Sequence, residues 1–186
     1  MSSPLFDFTA PLILTLQHVL TSEECLYWIN RIKDEGPKPA PINTPLGRVV
    51  ETQVRSNRRV MLDDPVWAKV LFDRIKQEVP LQIHGMKLSG TNERLRCYEY
   101  LTGQHFAPHE DGAYVRDDNE RSWYTYIVYL NEGFEGGETL FFVEPEKVVI
   151  PKTGLRLLFQ HPIIHAGCEV KSGTKYVIRT DLMYRK

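Results

Sequence analysis

Apolar residues recur at helical spacing in the first part of the chain and in short alternating runs after Gly90. Leu12 to Leu16 reads as a strand. Thr21 followed three residues later by Glu24 is a capping box, which opens a helix predicted to reach about Lys33. Leu26, Ile29 and Ile32 recur there at three-residue spacing, with Cys25 and Trp28 beside them, giving one apolar face. Gly36 to Pro45 holds four of the chain's twelve prolines and is predicted to be a loop. Asp64-Pro65 marks a second helix start, since proline is tolerated at the first helical position. That helix carries Val66, Trp67, Val70, Leu71, Ile75 and Val79 and is expected to stop at Pro80.

Beyond Gly90 the runs Arg94 to Tyr100, Trp123 to Leu130, Glu138 to Phe142, Lys147 to Ile150, Leu155 to Phe159 and Lys175 to Leu182 are β-prone. Gly136-Gly137 and Pro151 to Gly154 punctuate them as turns. Two helices followed by many short strands predict a mainly β fold, with helices flanking a rolled antiparallel sheet. A double-stranded β-helix core, of the jelly-roll or cupin-like kind, fits that order. At 186 residues, without repeats, the chain is read as one domain, 1–186. Helical support would occupy about 1–90 and the β-helix core about 91–184.

Composition removes several alternatives. A net charge of -1 gives no overall nucleic-acid footprint, and pairs such as Arg58-Arg59 are too small to reverse that. Cys25, Cys97 and Cys168 are odd in number and unrelated in spacing, so neither a zinc pair nor a disulfide framework is expected. Met1 to Ala10 lacks a basic region followed by an apolar run, and Leu12 to Leu16 is too short to span a membrane. No nucleic-acid or membrane partner is therefore expected, and the cytoplasm or nucleus is the expected location.

The candidate chemistry sits in His109-Glu110-Asp111. In extended backbone, residues i and i+2 face the same side, so one imidazole and one carboxylate can meet a metal together. A second histidine would complete the 2-His-1-carboxylate set that non-haem iron oxygenases use, which leaves positions open for cosubstrate and O2. His165 is the candidate, with His105 and His161 equally plausible by residue type. An isolated His-x-Asp can also be an ordinary solvated turn.

The surroundings supply more. Tyr100, Gly103, Phe106, His109 and Asp111 are followed by Tyr129-Leu130-Asn131 and then by Gly136-Gly137-Glu138-Thr139. Next come Pro151 to Gly154, a Leu-Leu-Phe strand, and finally His165, Val170, Gly173, Lys175 and Tyr176. In order and spacing this set, from about Arg94 to Tyr184, resembles the prolyl 4-hydroxylase branch of the Fe(II)/2-oxoglutarate dioxygenases.

The resemblance implies that His109, Asp111 and His165 ligate Fe(II), and that Lys175 meets the distal carboxylate of 2-oxoglutarate with Tyr129 as a hydroxyl donor. Thr125 shares the parity of Tyr129 and is expected to line the same pocket. Tyr98 and Tyr100 share parity with Arg96; one member of this set is expected to border the iron or the substrate and the others to serve as packing or rim residues. Arg179 either lines the cavity or pairs with Asp181; the family generally carries other residues there. The implied activity is hydroxylation of an unactivated C–H bond, with O2 as second cosubstrate, succinate and CO2 as products, and ascorbate as a reductant the chemistry allows. A prolyl residue in a protein or peptide is the leading substrate, and a free amino acid or small metabolite the alternative. A non-enzymatic cupin-like binding module is the reading from a different class. Gly112 to Ser122, polar and charged, is the candidate closing segment. Two departures point away from collagen-type enzymes. Glu110 replaces an aromatic or apolar residue, and the strand Arg179 to Tyr184 lacks their tryptophan.

Overall fold

The computed structural model describes residues 6–17, 19–44 and 47–186. Part of the stretch Met1 to Ala10, and Pro45 at the end of the proline-rich loop, lie outside the described residues. The chain begins with β1 (Ile13–Leu16), α1 (Ser22–Asp34), β2 (Lys38–Pro39), β3 (Ile42–Thr44), β4 (Gly47–Val49), β5 (Arg58–Asp63) and α2 (Pro65–Asp73). It continues through β6 (Gln82–Ile83), β7 (Met86–Thr91), β8 (Arg94–Leu101), β9 (Phe106–His109), β10 (Glu120–Tyr129), β11 (Glu135–Gly136) and β12 (Thr139–Phe141). Then follow β13 (Lys147–Val149), β14 (Arg156–Gln160), β15 (His165–Gly167), β16 (Val170–Ser172) and β17 (Thr174–Arg185).

A nine-stranded sheet has the order β1-β14-β10-β17-β8-β5-β2, with β7 also paired to β17 and β6 to β7. A second sheet has the order β13-β12-β15-β9. Every registered pair is antiparallel. The molecule is thus mainly β sheet with flanking helices, as the element order predicted.

Period-two alternation divides each central strand between two cores. Tyr124, Tyr126 and Val128 of β10, and Tyr176, Ile178 and Leu182 of β17, join Trp28, Ile32 and Leu71 of the helices in one cluster. Their neighbours Tyr129 and Val177 pack with Tyr98, Tyr100, Phe141 and Phe159 in the other. The helices therefore cover one face of the large sheet and leave the opposite face for the cavity described below. Thr21 caps α1 as expected, its side chain accepting from Glu24 N–H while Glu24 reaches back to the Thr21 amide.

Two expectations are corrected. The second helix ends at Asp73, not at Pro80. The carbonyl of Arg74 accepts a hydrogen bond at 2.9 Å from the buried Arg156 guanidinium, and the chain tightens through Ile75 N–H to Phe72 O and Glu78 N–H to Ile75 O. Ile75 and Val79 remain buried, so their apolar period is used in turns. The proline-rich stretch carries β2 and β3, with Pro39 on an edge strand where its missing N–H costs no ladder bond. β5 and β7 escape sequence reading because β5 opens on two arginines and β7 holds Lys87 and Gly90. β5 is held by a six-residue register with β8, and β7 by pairing with β17.

Candidate metal centre and its cavity

His109 ends β9, and His165, which begins β15, pairs with it in register. Asp111 follows two residues after His109, its amide donating to His161 O at 3.0 Å. One donor atom from each of His109, Asp111 and His165 lies within 4.8 Å of the others. His109 Nε2 is 3.8 Å from Asp111 Oδ1, and His165 Nε2 is 3.7 Å from Asp111 Oδ2. Each imidazole is fixed from behind: His109 Nδ1 lies 2.8 Å from Ala107 O and His165 Nδ1 lies 2.9 Å from Ile163 O. A carbonyl only accepts, so each Nδ1 carries the proton and each Nε2 presents its lone pair to the centre. Burial, with His165 adding to it, pushes His109 down to about 4; burial lowers His165 as well. Both rings are neutral at pH 7, as ligands must be.

The carboxylate is held just as firmly. Burial works to raise the Asp111 carboxyl, but Arg179, the two histidines and Thr125 outweigh it and hold it well below the usual carboxylate range. Arg179 Nη2 lies 3.1 Å from Asp111 Oδ1, and Thr125 O–H donates to Asp111 Oδ2 at 2.6 Å. Thr125 Oγ1 is also 3.0 Å from His161 Nδ1, and His161 Nε2 is 2.7 Å from Ser122 Oγ, which accepts from Tyr114 N–H at 2.8 Å. Since Thr125 spends its proton on Asp111, His161 Nδ1 must donate to Thr125, and Ser122 must donate to His161 Nε2. One directed chain of hydrogen bonds therefore runs from Tyr114 to Asp111. It requires a neutral His161, whose ring burial pushes down to about 4.

A narrow cavity opens from this centre. β8 supplies Tyr98 and Tyr100, β10 supplies Ile127 and Tyr129, and β17 supplies Lys175, Val177 and Arg179. From the smaller sheet come Phe106, Thr139 and Gly167. Lys175 is 3% exposed. Its Nζ donates to Gly137 O at 2.6 Å and lies 5.0 Å and 5.4 Å from the ring centres of Tyr100 and Tyr129. Tyr129 shares a 2.6 Å hydrogen bond with Thr139 Oγ1.

Most residues nominated from sequence meet here, with three adjustments. Thr125 lies behind Asp111 rather than on the cavity wall. Arg179 does both things considered for it, lining the cavity while pairing with Asp111 and, at 3.5 Å, with Asp181. The Gly112 to Ser122 segment is folded back on β10, with Arg116 bonded to Glu93 and, at 3.2 Å, to Glu120. Of the competing histidines, His161 backs Asp111, and His105 bonds Gln53 O at 3.2 Å. Sequence reading missed Arg55, whose guanidinium lies 4.3 Å over Phe106. Phe106 in turn stacks on His109 at 3.5 Å. No local signal marks Arg55. Its place follows from the isolated bridge between Arg55 and Phe106.

Residues 95–180 match the family model of the 2OG-Fe(II) oxygenase superfamily, and every residue nominated for the site falls inside that span. The chain is 25% identical over 199 residues to probable prolyl 4-hydroxylase 8 of Arabidopsis thaliana, covering 89% of this chain and 66% of that protein. It is 26% identical over 191 residues to probable prolyl 4-hydroxylase 10 of the same plant, covering 84% and 63%. The chain thus spans about two thirds of the length of the curated relatives it matches. Among solved structures, a Pseudomonas putida prolyl-4-hydroxylase aligns with a TM-score of 0.67 at 19% identity, covering 98% of this chain and 97% of that one. A viral collagen prolyl hydroxylase of Paramecium Bursaria Chlorella virus-1, in its 2OG complex, aligns at 0.63 with 22% identity, covering 95% and 97%. Residues 95–180 thus match the 2OG-Fe(II) oxygenase superfamily, and the chain is similar in sequence to plant prolyl 4-hydroxylases and in fold to solved prolyl hydroxylases.

Proposed function

We propose that this protein is an Fe(II)- and 2-oxoglutarate-dependent dioxygenase that hydroxylates an unactivated C–H bond, on a prolyl residue of a protein or peptide. One observation carries the reading. Two neutral imidazoles and one carboxylate converge at one end of a cavity whose wall also holds a buried lysine without a carboxylate partner among the described residues. Two nitrogens and one oxygen on one side of a metal suit iron(II) with positions left for other ligands. The lysine would have no reason to be buried there unless an anion joined it.

In this reading His109, Asp111 and His165 hold the metal, which supplies O2 activation coupled to decarboxylation of 2-oxoglutarate to succinate and CO2. Lys175 offsets the distal carboxylate of 2-oxoglutarate, and the Tyr129 hydroxyl donates to it. Tyr98 and Tyr100 wall the cavity, while Phe106, Ile127 and Val177 exclude water. Arg179 and Thr125 fix the rotamer and charge of Asp111. No side chain is required as a general base, so the protein's work is placement and dryness. The two sheets that face each other across the cavity support a double-stranded β-helix, and the shared cavity supports one domain over 1–186. All three cysteines are free, which suits a reducing compartment such as the cytoplasm or nucleus. No described helix is long and apolar enough to cross a membrane.

A peptide is favoured over a free metabolite because a wider groove, sharing Phe106, His109, Asp111 and Arg179, adjoins the cavity. The test is 2-oxoglutarate turnover by iron-loaded protein with proline-containing peptides, read by succinate formation and a gain of one oxygen atom in the peptide. Turnover stimulated only by free amino acids would move the substrate to small molecules. Metal binding without any turnover would leave the cupin-like module.

A further inference from the structure

The groove outside the cavity is cationic in a chain whose net charge is -1. Six arginines line it, Arg48, Arg55, Arg59, Arg94, Arg96 and Arg179, against two carboxylates, Glu110 and Asp111. Asp111 is already taken by the metal centre. Arg94 is paired with Asp63 at 2.9 Å, and Arg96 and Arg179 share the buried Asp181 at 2.9 Å and 3.5 Å. Among the described residues, Arg48, Arg55 and Arg59 form no ion pair. Burial lowers Arg59, and the crowding of Arg55, Arg48 and Arg96 lowers it further. Such a cluster repels itself until a counter-charge arrives.

Arg55 points most directly to a ligand. It is 5% exposed, its Nε donates to Asn57 Oδ1 at 2.7 Å, and its Nη2 is buried without a hydrogen-bond partner. A buried guanidinium nitrogen left unpaired is costly, and a carboxylate is the group its planar fork fits best. Its guanidinium lies 4.3 Å from the ring centre of Phe106, which stacks on His109 at 3.5 Å, so at most the sum of these two distances separates it from the His109 ring. At about 3.3 Å per extended residue, that distance corresponds to two or three positions along a peptide from the reacting residue.

We propose that this groove selects the substrate by negative charge, with Arg48, Arg55 and Arg59 receiving acidic side chains within about three residues of the hydroxylated position. The inference rests on the oxygenase reading above and adds the substrate class. An acidic peptide fits better than a nucleic acid because Tyr114 is the one uncovered ring the groove's described lining offers, and successive bases need several. Its aromatic residues are Phe106 and Tyr114, and Phe106 is already covered by His109 and Arg55. Ile42, Val54 and Met61, placed among the arginines, suit the apolar parts of a peptide instead.

The experiment compares two fluorescent peptides with a central proline, one with glutamates flanking it at two residues' distance, the other with glutamines. Both are titrated by anisotropy into anaerobic protein loaded with Fe(II) and 2-oxoglutarate. The glutamate peptide is expected to bind at least about ten-fold tighter at low ionic strength, equivalent to ~1.4 kcal/mol. The advantage should shrink as salt approaches about 1 M, where the Debye length is about 3 Å. Arg59→Gln should remove most of it. Glu110→Gln, on an exposed residue, should increase it. Equal affinities for the two peptides, measurable or not, overturn the proposal, as does an advantage untouched by both substitutions. A short single-stranded oligonucleotide that out-competes the glutamate peptide also overturns it and gives the groove to nucleic acid. The visible band of bound 2-oxoglutarate, followed in the same samples, reports separately on the oxygenase reading.

Discussion

Replacing Lys175 by methionine separates a cosubstrate anchor from a structural lysine, because the two roles predict opposite effects on stability. Burial pushes the ammonium down from 10.5 to about 8, with Cys168 and Glu138 pulling the other way. That depression corresponds to about 3 kcal/mol held against the charge in the folded protein. The one hydrogen bond it makes among the described residues, to Gly137 O, is worth ~1–3 kcal/mol for a charged donor, and the Tyr100 and Tyr129 rings at 5.0 Å and 5.4 Å add a weaker attraction. Methionine keeps the length and loses the penalty and the attractions together, so Lys175→Met should leave the free protein as stable or up to about 2 kcal/mol more stable. For a chain of this size that is an increase in Tm of up to roughly 8 °C. The affinity for 2-oxoglutarate should fall by about 100-fold or more, the loss of a desolvated ion pair worth about 3 kcal/mol. The pH dependence has a definite sign. Because the folded value lies below the unfolded one, the destabilising contribution is complete below about pH 8 and fades as pH rises towards 10.5. The wild type should therefore gain stability relative to Lys175→Met across that window, while its 2-oxoglutarate affinity declines above about pH 8. Thermal unfolding of both proteins and anaerobic ligand titration measure these effects. A variant that melts several degrees lower and binds 2-oxoglutarate normally would refute the reasoning.

Thr125→Val removes the hydroxyl that donates to Asp111 Oδ2 at 2.6 Å without changing side-chain shape, and should weaken Fe(II) binding by about 10–100-fold. Competition with a chelator measures this, and unchanged affinity would discard the positioning role. Gly136 has φ +72°, and a Cβ there would lie 2.2 Å from the Glu169 carbonyl oxygen. Gly136→Ala should cost about 1–3 kcal/mol in thermal unfolding and should also weaken 2-oxoglutarate binding, since the next residue's carbonyl holds Lys175; a wild-type melting curve would contradict it. In acid, His109 and His161 stay neutral in the folded state to about pH 4 but protonate near 6.5 when unfolded. Stability of the metal-free protein should therefore fall as pH drops from about 6.5 to 4. His161→Gln should flatten that profile, and an unaltered slope would exclude His161 from it.

Two kinds of feature differ in how far the amino-acid sequence exposes them. His109 and Asp111 are two residues apart at the end of a strand, close enough in sequence for the period-two argument to bring them together although β9 itself stops at His109. His165 is legible only through the ordered motifs around it, because the β9–β15 pairing that seats it beside His109 is tertiary. Tyr129 and Lys175 came from the resemblance, and parity then put Arg179 on the face of Lys175, where it lines the same cavity. For Thr125 parity gave the face but not the depth, which Asp111 decides by folding over it. The arginine groove was invisible for a different reason. Its members run from Arg48 to Arg179 on separate strands, so a net charge of -1 hides a local concentration of one sign. The end of α2 was misjudged because apolar periodicity continues through turns that Arg156, far along the chain, stabilises.

The most direct test of the oxygenase reading is an anaerobic titration of 2-oxoglutarate into Fe(II)-loaded protein, followed by the visible charge-transfer absorption of the bound pair. The band should appear and saturate with one equivalent in the wild type. It should require much more 2-oxoglutarate in Lys175→Met and be absent in His165→Ala. Iron binding without that band, or a band that survives loss of His165, would contradict it.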